Sequence, residues 1–253
     1  MHRFRFMILL ATLILVIFVG PVTDLALPRR YPVLTQVALA AVLVSMLCAA
    51  VFAVSDDRKK AWFAVSLALP AVLLQAFDSV IDHEGLLAAT SVADILFLSY
   101  VIVVVVRHLF AETEVTSNVI CAAICVYLLH GIAWADVYSL IDIAENGSFS
   151  FSLLDKEAAS SAMAESQADA PEIKFMRLRG RTAIYPVYFS FVTMTTLGYG
   201  DIIPRTSLAR ALISLQAVTG QLYLAVLIAR LVALHIVHST SGENENTNKL
   251  PST

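Results

Sequence analysis

Between Thr193 and Pro204 the chain reads TMTTLGYGDIIP, and its residue types could hold a dehydrated cation. A cation leaving water needs oxygen ligands as strong as its hydration shell. Backbone carbonyls supply them without a full negative charge that would trap the ion. For successive carbonyls to face one axis, alternate residues must leave the φ/ψ regions open to L-residues, which glycine does at no steric cost. Gly198 and Gly200 are spaced for that, and Thr196 adds a hydroxyl at the inner end. The candidate ion-binding stretch is therefore Thr196, Leu197, Gly198, Tyr199 and Gly200. Tyr199 is expected to point away from the axis and brace the stretch, with Tyr188, Phe189 and Thr193 packing or hydrogen-bonding behind it. Thr195 and Asp201 are further candidate supports. One chain supplies one such loop, so closing a ring of carbonyls requires several copies around an axis.

The elements that must position this stretch follow from composition. The 253 residues are 58% hydrophobic and 15% charged, against about 45–50% and about 25% in soluble domains, so an all-α integral membrane protein is expected. Six apolar runs approach or exceed the ~20 residues that cross a bilayer: Phe6–Val22, Val33–Val54, Ala61–Phe77, Leu86–Val106, Val119–Ile141 and Leu208–Val237. Arg3 and Arg5 before the first run are in the manner of a signal peptide, but Val22–Ala26 does not offer small residues at both −3 and −1 of a cleavage point, so a retained helix is expected. An inside N-terminus puts Arg3, Arg5, Arg58, Lys59, Lys60, Arg107 and Arg230 on the cytoplasmic side. It leaves Arg29, Arg30 and the acidic segment 78–84 outside, as the positive-inside rule prefers. Both termini are then cytoplasmic, and TMTTLGYGDIIP faces outward. The net charge of −3 argues against a nucleic-acid partner.

The apolar, aromatic segment Tyr185–Met194 is too short to span and has Pro186 where a helix's first turn tolerates it. A half-span helix followed by irregular backbone is re-entrant, and survives at membrane depth only when buried in protein or lining water. Its C-terminal, partly negative end would favour a cation. The loop residues Glu145–Glu172 read as exposed, with a short helix from Ser152, and Ile173–Leu178 as a weak strand.

The TTLGYGD run resembles the selectivity filter of the tetrameric potassium channels, whose signature is TVGYG. Thr196, Gly198, Tyr199 and Gly200 match directly, Leu197 stands where valine is commonest, and Asp201 matches the aspartate that usually follows. The resemblance covers roughly Val119–Val237. It implies a homotetramer in a lipid bilayer, K+ at Thr196–Gly200 as the permeant ion rather than a cofactor, no small-molecule substrate, no enzymatic activity, and a gating hinge at Gly220. It divides the chain into a four-helix bundle (1–110), a pore domain (111–238) and a short disordered tail (239–253). The pore domain comprises an outer helix, a loop (142–184), a pore helix (185–195), the filter (196–200) and an inner helix (208–237). There are departures. Val192 stands where some of these channels carry a glutamate that pairs with the aspartate after the filter. The fourth run lacks the arginine array that does voltage work, so voltage gating is not expected.

Other readings compete. Gly198-Tyr199-Gly200-Asp201 matches the GxGD motif of intramembrane aspartyl proteases, with Asp94 or Asp136 as the second aspartate, but Pro204 and the short preceding run oppose it. A non-selective cation channel is opposed by Tyr199 between two glycines. Asp94, His130 and Asp136 within apolar runs are expected to be packed and hydrogen-bonded, Asp94 pairing with His130 or Arg107 or facing neighbouring helices, the alternative being a pH or gating element. Cys48, Cys121 and Cys125 read as small helix residues rather than metal ligands.

Overall fold

A run hydrophobic on every side satisfies its backbone in lipid only along its own axis, as a helix. The computed structural model describes residues 5–26, 32–54, 58–78, 84–145, 147–151 and 184–247, and these are mostly helical. In chain order they form α1 (Arg5–Ala26), α2 (Pro32–Val54), α3 (Arg58–Asp78), α4 (Glu84–Ala111) and α5 (Ser117–Ala144). Then follow β1 (Phe149–Phe151), α6 (Ile184–Met194), β2 (Ile202–Pro204) and α7 (Ser207–Thr247). Local chemistry sets several ends. Thr116 caps α5, its hydroxyl accepting from Val119 N at 3.4 Å, and Glu145 N closes the other end on Ile141 O at 2.8 Å.

Among the described residues, four helical segments are long and apolar enough to cross a membrane: Lys59–Phe77, Gly85–Ala111, Ser117–Ala144 and Ser207–Leu234. Arg5–Phe18 and Ala41–Ala53 are shorter apolar stretches. α5 lies at the centre, packing against α1, α4, α6 and α7. One core, including Leu9, Leu13, Met46, Leu47, Phe97, Val101 and Leu129, joins α1–α5. A second, smaller core of Tyr138, Ile141, Phe149, Phe189, Ile202 and Ala209 lies around α6 and the strands.

The expected bounds need correction in three places. The segment after α5 is not simply an exposed loop. Asp142 still lies in α5 and is buried, and Phe149–Phe151 pairs antiparallel with Ile202–Pro204, Ser150 opposite Ile203. The alternation Phe-Ser-Phe is the reason: it sends Phe149 into the second core while Ser150 faces the other way. Second, the inner helix continues past Val237 to Thr247, so residues 239–247, read as a disordered tail, are helical. Extending an existing helix costs far less than starting one, and no proline intervenes before Pro251. Third, the half-helix is Ile184–Met194, displaced by one residue from 185–195. The expected helix from Ser152 and strand at Ile173–Leu178 lie outside the described residues.

Candidate ion-conduction site

α6 enters the site with Pro186 in its first turn and ends at Met194. Its end is a Schellman-type cap: Leu197 N donates to Val192 O at 3.0 Å and Thr196 N to Thr193 O at 3.0 Å. That cap needs a left-handed residue, and Thr196 fills the position with φ +60°. A β-branched side chain rarely goes there; the conformation costs about 1–2 kcal/mol. Gly198 (φ +52°) and Gly200 (φ +74°) repeat the sign. Alternate residues of the stretch are therefore left-handed, as the glycine spacing implies, with Thr196 an unforeseen third. A Cβ at Gly198 or Gly200 would meet nothing within 4 Å in this chain, so conformation, not space, demands glycine there.

The carbonyls at the end of α6 are already used. Phe191 O accepts from Thr195 N (2.9 Å) and Thr195 Oγ1 (2.6 Å), Val192 O from Leu197 N and Gly198 N, and Met194 O from Gln221 Nε2 of α7 at 3.1 Å. From Thr195 to Gly200 the pattern reverses. Among the described residues no donor reaches these carbonyls, and the whole stretch is exposed within the single chain. A row of carbonyl oxygens without donors, beyond the negative end of a helix dipole, is chemically a cation ligand set.

Asp201 is held on both oxygens. Tyr188 Oη donates to Oδ2 at 2.8 Å and Ile202 N to Oδ1 at 3.1 Å. Partial burial, then the hydrogen bond and charge of Asp201, push the Tyr188 hydroxyl up to about 12, so it remains a donor across the physiological range. Beyond Asp201, β2 is pinned to β1, Arg205 N donates to Ser148 O (2.8 Å) and Arg205 Nη2 to Ser150 Oγ (2.9 Å). These bonds supply the bracing that Val192, buried and apolar, does not.

The other expected supports are placed differently. Phe189 does not pack behind Tyr199. It joins Tyr138 and Phe149, with ring centroids 5.2 and 5.4 Å away. Tyr199 is 68% exposed within the chain. Thr193 contributes its backbone carbonyl, to the cap. Gly220 lies in the unbroken α7, where a Cβ would come 2.6 Å from Met194 Cγ. Gly131 of α5 is its counterpart, since a Cβ there would lie 2.7 Å from the Phe191 ring. Two glycines on two helices let the half-helix wedge between them.

Three residues that sequence reasoning missed link the helices around α6. Tyr138 Oη donates to Gln216 Oε1, Gln216 Nε2 to Ser190 Oγ (2.6 Å), and Ser190 Oγ to Gly131 O (2.5 Å). Every member is buried, and the relay ties α5, α6 and α7 together. The signal available was Gln216, a polar residue inside an apolar run. His130 is part of a parallel link: Trp134 Nε1 donates to its Nε2 at 3.2 Å, and Thr219 Oγ1 lies 3.2 Å from the same nitrogen. Of the expected arrangements for Asp94, the pairs with His130 and Arg107 do not form, and it faces a neighbouring helix, where it meets Gln75.

Residues 172–235 match the family model described as ion channel, a segment that includes α6, the Thr196–Gly200 stretch, β2 and most of α7. The match supports an ion-channel domain over that segment. No curated protein and no solved structure matches the chain.

Proposed function

We propose that the protein is a potassium-selective channel that conducts K+ passively through a homotetrameric pore. The observation that carries this reading is the alternation of left-handed residues at Thr196, Gly198 and Gly200, which leaves consecutive carbonyls without donors just past a half-helix. In this reading Thr196–Gly200 coordinate K+. Asp201, Tyr188, Phe189, Thr193 and Thr195 support the filter, and Gly220 is where the inner helix bends.

The tetramer is supported by α7. Its described side chains are largely apolar, yet only Ala209, Gln216 and Gly220 are buried within the chain. Val218, Leu222 and Val226 form an exposed stripe that other copies would cover, and the exposed Tyr199 would find its packing partner on a neighbouring subunit. All six long helices cross the membrane in this reading, with both termini cytoplasmic and the filter on the outer side. Residues 1–110 form a peripheral bundle without a voltage sensor. Asp201 is engaged on both oxygens by Tyr188 and Ile202, which favours a bracing aspartate over a catalytic one.

The test is reconstitution in liposomes under an imposed K+ or Na+ gradient. K+ flux with little Na+ flux is expected. Equal fluxes overturn selectivity, and no flux from an assembled tetramer at varied voltage and pH overturns conduction.

A further inference from the structure

The bundle of α3, α4 and α5 contains polar groups that conduction does not use. Asp94 on α4 is 8% exposed, and Gln75 Nε2 on α3 donates to its Oδ2 at 3.5 Å. The other oxygen of each group, Asp94 Oδ1 and Gln75 Oε1, is buried and has no hydrogen-bond partner among the described residues. Both are acceptors, and an ionised carboxylate can only accept. A single added proton resolves both. The neutral acid's O–H donates to the amide oxygen while the amide N–H donates to the acid's other oxygen, a reciprocal acid–amide pair.

The electrostatic surroundings point the same way. The charged group within reach of Asp94 is another carboxyl, Asp136 of α5, and among the described residues no cation pairs with Asp94. On α3, Lys59 and Lys60 stand at the end opposite Gln75. On α2, Cys48 is exposed. On α5, His130 is bonded to Trp134 and Thr219, Tyr138 to Gln216, and Asp142 lies more than a turn beyond Asp136; Cys121, Cys125 and Tyr127 lie more than a turn before it. On α4 itself, Tyr100 donates to Lys60 O, and Arg107 and His108 are near the far end. An ionised Asp94 would be a buried charge beside a second buried carboxyl and no cation among the described residues, with one hydrogen bond.

We propose that Asp94 and Gln75 form a proton-binding site inside the bundle. The carboxyl is kept as the neutral acid, its O–H given to Gln75 Oε1. Removing that proton leaves a buried carboxylate with a single hydrogen bond and halves the α3–α4 bond, so the site makes the packing of these helices depend on protonation.

The full chain in lipid vesicles at neutral pH tests this by infrared difference spectroscopy. A protonated-carboxyl C=O band that shifts in D2O is expected in the wild type and should be lost in Asp94→Asn. In Gln75→Leu the band should persist and move to higher wavenumber, its hydrogen bond gone. Circular dichroism and the elution volume check that both variants fold. No band in the wild type, or an unchanged band in Asp94→Asn, overturns the site. An unmoved band in Gln75→Leu overturns the amide partner. None of these readouts needs ion flux, so the outcome is separate from that of the conduction reading.

Discussion

Tyr188 and Asp201 face each other across the exit of the Thr196–Gly200 stretch, phenol to carboxylate, at 2.8 Å. The phenol sits on the half-helix and the carboxylate just past the glycines, so this bond spans the loop between them and limits how far its backbone can relax. Tyr188→Phe removes the donor and leaves Asp201 with Ile202 N alone. A hydrogen bond to a charged group contributes about 1.5–3 kcal/mol. The variant is expected to insert and assemble, with K+ flux that decays faster and Na+ exclusion that weakens. Flux in liposomes under paired gradients checks this, and wild-type persistence and selectivity would remove Tyr188 from the brace.

Gly198 is required for its φ of +52°, not for room, since a Cβ would touch nothing within 4 Å in the chain. Gly198→Ala should abolish K+ flux while leaving membrane insertion intact, because an L-residue pays about 1–2 kcal/mol to stay left-handed. Incorporating D-alanine at the same position by semisynthesis should restore flux, its preferred φ being positive. Failure of the D-residue alongside the L-residue would mean that space matters after all.

Gly220 can be separated into a bend and a packing surface. Its Cα faces Met194, and a methyl group there would come 2.6 Å from Met194 Cγ. Overpacking of this kind costs about 1–3 kcal/mol. Gly220→Ala should lower the thermal stability of the assembled protein in detergent, and adding Met194→Ala should recover most of it. If stability recovers but flux does not, bending at Gly220 is the remaining role. If neither recovers, the Met194 contact is not what glycine serves.

Gln216 connects α7 to both α5 and α6 through Tyr138 and Ser190. Gln216→Leu keeps the volume but leaves the Tyr138 hydroxyl and Ser190 without their partner, at about 1–3 kcal/mol for each buried group left unpaired. A fall in melting temperature is expected, with less than additive further loss in the Gln216→Leu/Tyr138→Phe double variant, since the two changes remove one interaction. Strict additivity in that cycle would show that the two residues act independently.

How much of this was legible in the sequence differs between kinds of residue. The helices were visible because runs such as Val33–Val54 and Leu86–Val106 are apolar on every side, which leaves few other structures. Gly198 and Gly200 were visible because left-handed backbone is a property of the residue itself. Thr196 at φ +60° was not visible, since nothing about threonine announces it; the helix cap imposes it through the bonds to Val192 and Thr193. Phe149 was hidden in a segment of polar composition, where three residues are too few to stand out.

The sequence by itself determined a chain of membrane-length apolar helices, a half-helix too short to cross, and a glycine-spaced stretch whose carbonyls can line an axis. Those follow from length, hydrophobicity and φ preference, all of which are local. Only the tertiary structure decided what holds that stretch in place. Tyr188 meets Asp201, β1 meets β2, Gln216 reaches Ser190 and Tyr138, and Gln75 meets Asp94. Each of those pairings joins residues on different elements. Hydrogen bonds and close packing depend on distances of a few ångströms, which chain order does not encode and which arise when the helices dock.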